Sequence, residues 1–285
     1  MEQQTPPFPS SGPFVVKDHS FSQEDFELYW DATRLSAKTL LPANTDPLAY
    51  YPQDDYISHQ EQPTGLTGGL YRMAQRFMMS YKYNKLLPLL PNQAQLLDYG
   101  CGVGSFARYL THQGHRVYGV EPNTKARQLA MDKGIQAFAS LEALHLQSFD
   151  AILLWHVLEH LPEPEKALQE FHQRLAPEGH LVLAVPNLRS ADAQHYGTYW
   201  AAYDVPRHLW HFSQGGIAQL AAQTGFRVRA TYPMPLDAFY ISLLSEHYKG
   251  SRLSAVKGFF QGLRSNVKAL FTGEFSSLFY VLEKG

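Results

Sequence analysis

The sequence predicts an α/β fold: a doubly wound, mainly parallel seven-stranded sheet with helices on both faces, an irregular N-terminal arm and a helical C-terminal addition. Three observations predict it. From position 95 onward, short apolar runs alternate with stretches of helical period, the pattern of βαβ units in a parallel sheet whose faces are both covered. Glycines punctuate the joints, with Gly114, Gly134 and Gly225 placed as helix C-caps. The chain of 285 residues is 45% apolar, enough for a sizeable core and too rich in apolar and aromatic side chains to stay unfolded.

Taken in order, residues 1–13 carry four prolines and read as a disordered tail. Residues 14–64 mix aromatics with Pro and Asp and read as an arm with little regular structure of its own. From 71 to 87, Met73, Phe77, Tyr81, Leu86 and Leu87 fall near helical spacing, and Pro88 and Pro91 end the helix. Strands are expected at 95–99, 117–120, 135–138, 149–154 and 180–185. Helices are expected at 106–113, 125–133 and 163–175. Residues 186–212 form a long polar and aromatic connection, a length that inside a compact domain usually serves function. A helix at 215–224 and a strand at 226–232 follow, then helices near 238–248 and 255–270 and a last strand at 277–282. The division expected is a tail and arm over 1–64, the main domain over 65–235, and a C-terminal part over 236–285 that completes it.

Composition narrows the function classes. With 26 acidic and 24 basic side chains the net charge is −2, which excludes a strongly basic nucleic-acid binder. A single Cys excludes an intrachain disulfide and a multi-cysteine zinc site. No apolar run approaches the roughly 18 residues that span a bilayer, and the first residues lack a basic and apolar leader, so a cytoplasmic location is expected.

The chemistry begins at Asp98-Tyr99-Gly100-Cys101-Gly102-Val103-Gly104-Ser105. An expected strand runs into three alternate glycines and then a helix, so the backbone turns sharply and a ligand approaches closely. Helix N–H groups there favour polar ligand atoms. Asp98, two residues before the loop, disfavours an anionic pyrophosphate and tolerates an ammonium or sulfonium group. Glu121 ends the next strand about 20 residues on, where a carboxylate accepts both ribose hydroxyls of an adenosine.

In these features the sequence resembles the class I S-adenosylmethionine-dependent methyltransferases. Residues 96–104 resemble their first motif, 117–121 their second strand with its acidic end, and 149–160 their fourth strand and the segment after it. The resemblance covers about 80–235. It implies S-adenosyl-L-methionine as cofactor, with Gly100, Cys101, Gly102 and Gly104 against its methionine part and Asp98 behind the loop. It implies Glu121 on the ribose, Pro122, Ser140 and Leu141 beside the adenine, and Leu154, Trp155 and His156 lining the reactive methyl. Glu142 is the nearest acid for the adenine amine.

Trp155-His156-Val157-Leu158-Glu159-His160 also reads as H-x-x-E-H, an inverted zinc-peptidase signature. That site needs a long helix and a third ligand, whereas here a strand feeds the segment and Pro162 and Pro164 follow. No metal is expected. A second segment, 200–213, carries Asp204, Arg207, His208 and His211 and resembles a D-x-P-R-H-L-x-H-F stretch of a bacterial branch of the family whose substrates are uncharacterised. His156 and His208 are candidate general bases, since a His near its ordinary pKa of about 6.5 suits that task, with Asp204 as orienting partner and Arg207 beside it. A purely structural Arg207–Asp204 pair is the competing reading. Proteins of that branch often begin with a four-cysteine zinc ribbon. Residues 50–59 resemble the Tyr-rich stretch that follows it, but 26–36 hold no Cys. The resemblance thus implies a metal-free arm, with Tyr56 and His59 as candidate contacts.

The expected reaction is methyl transfer to a small-molecule acceptor, at oxygen or carbon, by in-line displacement. A nicotinamide-dependent oxidoreductase and an inactive cofactor-binding member are the alternatives. No nucleic-acid partner is expected. The amphipathic helix near 255–270, with Lys257, Arg264 and Lys268 on its polar side, leaves membrane-surface contact as a minor expectation.

Overall fold

The computed structural model describes residues 14–42, 45, 47–50, 65–145 and 148–285. The expected tail at 1–13 and the expected contacts Tyr56 and His59 lie outside the described residues.

The main sheet has the seven strands expected. They are β4 (Gln95–Tyr99), β5 (Arg116–Val120), β6 (Gln136–Phe138), β7 (Phe149–Trp155), β8 (Leu175–Pro186), β10 (Phe226–Pro233) and β11 (Ser277–Lys284). Their spatial order is β6-β5-β4-β7-β8-β11-β10. The pairs among β4 to β8 are parallel, while β11 runs antiparallel to both β8 and β10. Because β4 pairs with β5 on one side and β7 on the other, the winding reverses there, and a crevice opens at the carboxyl end of β4.

Alternation along each strand builds two cores. Leu97, Ile152, Leu154, Leu181 and Leu183 face one side and meet Leu168 and Phe171 of α4 (Pro164–Arg174) and Ile217 and Leu220 of α6 (Gln214–Gln223). Leu96, Leu153, Val182, Phe279 and Val281 face the other. They meet Tyr83 and Leu86 of α1 (Gly65–Leu86), Ala107 and Leu110 of α2 (Ser105–His112) and Ala130 of α3 (Thr124–Asp132). Successive side chains of a strand point to opposite faces, so runs apolar at every position require cover on both. The helix expected from 71 starts earlier, at Gly65.

The arm differs from expectation. Three strands, β1 (Phe14–Lys17), β2 (Asp25–Asp31) and β3 (Ser36–Leu40), pair antiparallel with one another, and β3 pairs with β9 (Trp210–Phe212) from the long connection after β8. The reason is a period-two pattern: Phe26, Leu28 and Trp30 are buried, and Glu27 and Tyr29 between them are exposed. With Val16 and Ala37 they form a third core against Tyr196, Trp200, Tyr203 and Val205. The connection itself holds α5 (Ala191–Tyr196) and β9, so it is an ordered lid clamped between the small sheet and the main one.

The chain closes with an α-hairpin, α7 (Pro235–Tyr248) and α8 (Ser254–Thr272). A Cβ on Gly258 would lie 2.7 Å from the Leu243 Cα, and one on Gly262 2.8 Å from the Phe239 Cα, so these glycines let the two backbones touch. The outer face of α8 exposes Phe259, Phe260, Leu263, Leu270 and Phe271. Among the described residues, no helix is long and apolar enough to cross a membrane.

Candidate active site

The glycine loop lies at the carboxyl end of β4. Gly100, Gly102 and Gly104 have φ of 75°, 53° and 71°, the left-handed region that a Cβ disfavours. At Gly100 a Cβ would also stand 2.5 Å from the Val157 Cγ2. The Gly100 and Cys101 N–H groups donate to the Val120 carbonyl at 2.7 and 3.1 Å. Glu121, just past β5 and almost wholly buried, completes the tie. Its Oε2 accepts from Gly102 N at 2.9 Å and its Oε1 from Asn123 N at 2.8 Å. Asn123 caps α3 by accepting from Ala126 N, so one turn fixes both the carboxylate and the helix.

Asp98 is buried at the back of the loop. Burial pushes its carboxyl up to about 7, with Lys82 opposing and Glu121 adding to the rise. Lys82, on α1, carries no local sequence signal of a site. Its ammonium lies 4.0 Å from the centre of the Trp155 ring, and burial pushes it down to about 8 against the pull of Asp237 and Asp98. Cys101 is half-buried and its thiol is pushed up by burial. Leu141 is buried and Pro122 is exposed. A hydrogen bond from Ser140 lowers the Glu142 carboxyl. Leu154 is wholly buried within the core, whereas Trp155 packs edge-on against Phe106 and Phe279.

His156 follows β7 with a left-handed backbone, φ 56°, and its N–H donates to the Ala184 carbonyl. The ring stands between two carboxylates: Nε2 is 3.2 Å from Asp237 Oδ2, and Nδ1 is 3.5 Å from Glu159 Oε1. Burial alone would lower its pKa, but the two carboxylates raise it to about 9. Asp237 comes from the first turn of α7; nothing local in the sequence connects it to His156.

A short turn, Leu158–His160, carries Glu159 and His160 inward. There they meet His208 of the lid, whose ring centre is 4.6 Å from that of His160. His160 Nδ1 lies 3.0 Å from the Arg207 carbonyl and His208 Nδ1 lies 2.9 Å from the Ala202 carbonyl. A carbonyl only accepts, so each Nδ1 carries the proton and donates. Burial and the neighbouring His208 push His160 down to about 4.

Arg207 is committed elsewhere. Its guanidinium donates to Asp18 Oδ1 and Asp204 Oδ1 at 2.9 and 2.7 Å, and also to Ser20 and the carbonyls of Tyr50 and Val205. Burial alone would raise the Asp18 carboxyl, but Arg207 and the Ser22 N–H hold it far below the carboxylate range. Asp204 keeps a 3.9 Å approach from Oδ2 to His208 Nε2. His211, pushed down to about 3 by burial, stands 2.9 Å from Thr39 Oγ1, which itself donates to the His208 carbonyl. The two histidine-rich segments therefore converge on Glu159, while Arg207 and His211 bind the lid to the small sheet.

The chain matches the methyltransferase-domain family over residues 72–231. It is 31% identical over 111 residues to an uncharacterised methyltransferase of Oceanobacillus iheyensis, covering 36% of this chain and 52% of that one. It is 29% identical over 103 residues to the ubiquinone biosynthesis O-methyltransferase of Cronobacter sakazakii, covering 33% and 42%. The matched stretches thus span about half the length of these relatives. Among solved structures, a Thermotoga maritima S-adenosylmethionine-dependent methyltransferase, described as a possible histamine N-methyltransferase, superposes with a TM-score of 0.54 at 20% identity, covering 81% of this chain and 97% of that one. The Synechocystis magnesium protoporphyrin IX methyltransferase with bound S-adenosylhomocysteine does so with a TM-score of 0.54 at 14% identity, covering 81% and 94%. The strand order, the glycine loop tied to Glu121 and the family match over more than half the chain agree: the chain belongs to the class I S-adenosylmethionine-dependent methyltransferases.

Proposed function

We propose that the chain transfers the methyl group of S-adenosyl-L-methionine to a small-molecule acceptor, at oxygen or carbon. The observation that carries this reading is the buried Glu121 carboxylate bonded to Gly102 N at the carboxyl end of β5. A fixed carboxylate beside a side-chain-free loop suits a neutral ribose and a cationic amino acid, and disfavours a pyrophosphate. The donor set therefore fits the cofactor, which when bound supplies an electrophilic methyl on a sulfonium.

The chain's own residues do the rest. Gly100, Gly102 and Gly104 give the methionine part backbone contact, and Asp98 offers a carboxyl whose ionised form a cation favours. Glu121 holds the ribose, and Pro122, Ser140 and Leu141 flank the adenine. Trp155 and His156, next to Val157 and the loop, border the methyl, and the lid keeps water from it. The two candidate bases, His156 and His208, have different partners. His156, held near 9 by its carboxylates, is cationic at neutral pH and serves an oxygen acceptor electrostatically. Proton removal belongs to the Glu159–His160–His208 group across the lid. Arg207 and Asp204 position that group.

The exposed apolar face of α8, flanked by Lys257, Arg264 and Lys268, supports contact with an anionic lipid surface. Co-sedimentation with anionic but not neutral vesicles is the expected result.

Calorimetry of S-adenosylhomocysteine binding, with NAD and NADP as controls, tests the main reading. Micromolar binding of the first alone is expected. Preference for a nicotinamide dinucleotide would overturn it.

A further inference from the structure

We propose that Glu159, His160 and His208 form a binding site for a divalent transition-metal ion of the zinc and manganese class. One ligand atom from each residue lies within 4.8 Å of those of the other two. Donor atoms around zinc, at bonds of about 2.0–2.1 Å, stand roughly 3.3 Å apart, so side chains close by at most about 1.5 Å to hold the ion.

Three further observations point to a cation. First, both imidazoles are oriented from behind: their Nδ1–H groups donate to the Arg207 and Ala202 carbonyls. In the neutral ring Nε2 is then the lone-pair nitrogen. A backbone carbonyl on the far nitrogen is the arrangement that fixes the tautomer of metal-binding histidines. Second, the Glu159 carboxylate is almost wholly buried, and among the described residues neither of its oxygens has a hydrogen-bond partner. The cationic His156 faces one of those oxygens at 3.5 Å, and the other meets no donor among the described residues; a buried carboxylate served on one side only is costly. His156 Nε2 is spent on Asp237. Third, the site is pinned across the fold. Leu209 N donates to the Glu159 carbonyl at 2.8 Å, and Asp204 Oδ2 adds negative charge 3.9 Å from His208 Nε2.

The ligand set differs from the H-x-x-E-H text in the sequence. His156 is turned to Asp237, and the second imidazole comes from the lid. Two imidazoles and one carboxylate suit zinc, manganese or iron and leave coordination positions open. The binding claim itself does not depend on the methyl-transfer reading.

The test uses the full chain, stripped with a chelator and titrated with Zn2+ and Mn2+ by calorimetry, with metal content measured by mass spectrometry. One equivalent is expected. Glu159→Gln and His208→Asn should each weaken binding at least about 10-fold, the minimum seen when even supporting residues of metal sites are changed. Near-UV circular dichroism checks that the variants fold. If they do not, the Co2+ form of the wild type decides, since its paramagnetically shifted NMR spectrum should contain two histidine N–H signals. The inference is overturned if the stripped wild type binds neither ion, if folded variants bind with unchanged affinity, or if no shifted histidine signals appear. S-adenosylhomocysteine binding is measured separately, so failure of the cofactor reading and failure of the metal site register independently.

Discussion

On the glycine-loop side of the crevice, the bonding partners are sequence neighbours: Gly102 and Glu121 are 19 positions apart, and Glu121 and Asn123 two. On the lid side they are remote: Arg207 reaches Asp18 across 189 positions, and His211 reaches Thr39 across 172. The first side is rigid because glycines and one carboxylate leave the backbone a single path. The second is rigid because buried charges hold separate segments together. Damage to the first should therefore appear in ligand affinity, and damage to the second in stability.

The largest effect is expected from Arg207→Ala, which leaves Asp18 and Asp204 without their cation. Breaking a buried pair in this way costs about 3–5 kcal/mol. Urea unfolding should show the loss, while S-adenosylhomocysteine binding at saturating stability stays within a few-fold of the wild type. A loss of affinity matching the loss of stability would break the comparison.

Next comes Gly100→Ala. The left-handed backbone costs a non-glycine residue about 1–2 kcal/mol, and the 2.5 Å approach to Val157 adds to it. Calorimetry should show cofactor affinity down at least about tenfold, more than the fall in unfolding midpoint accounts for.

Glu121→Gln sharpens the same point, because it keeps the shape and removes the charge. Hydrogen bonds to a charged group contribute about 1.5–3 kcal/mol, so binding should weaken roughly 10- to 100-fold. An unchanged affinity would remove Glu121 from the ribose site.

The smallest effect is a pH dependence. Asp18 has a folded pKa below its unfolded value of 3.8. Its contribution is therefore complete above that value and is lost as pH falls through and below it. Stability measured from pH 6 down to 3 should decline, and Arg207→Ala should flatten the part of the slope due to Asp18.

The same division decides what the sequence revealed. The seven main strands and the glycine loop were legible because their signals are local: apolar runs, glycines and an acid at a strand end. The small sheet was not, although Phe26, Leu28 and Trp30 alternate, because its edge partner β9 lies across the chain inside what reads as a loop. Asp204, Arg207 and His208 stood out by residue type. What they touch did not: Asp18 claims Arg207, and Glu159 and His160 meet His208. Asp237 and Lys82 lie on helices whose own patterns explain them, so only the fold places them at the site.

The pairing of β3 with β9 also sets a clock on synthesis. Thr39 is made 172 positions before its partner His211. At about 5–20 residues per second that is roughly 10–30 s of elongation. Throughout that interval the nascent β1–β3 meander presents Phe26, Leu28 and Trp30 uncovered beside an open strand edge, a window for chaperone capture that closes only when the lid emerges.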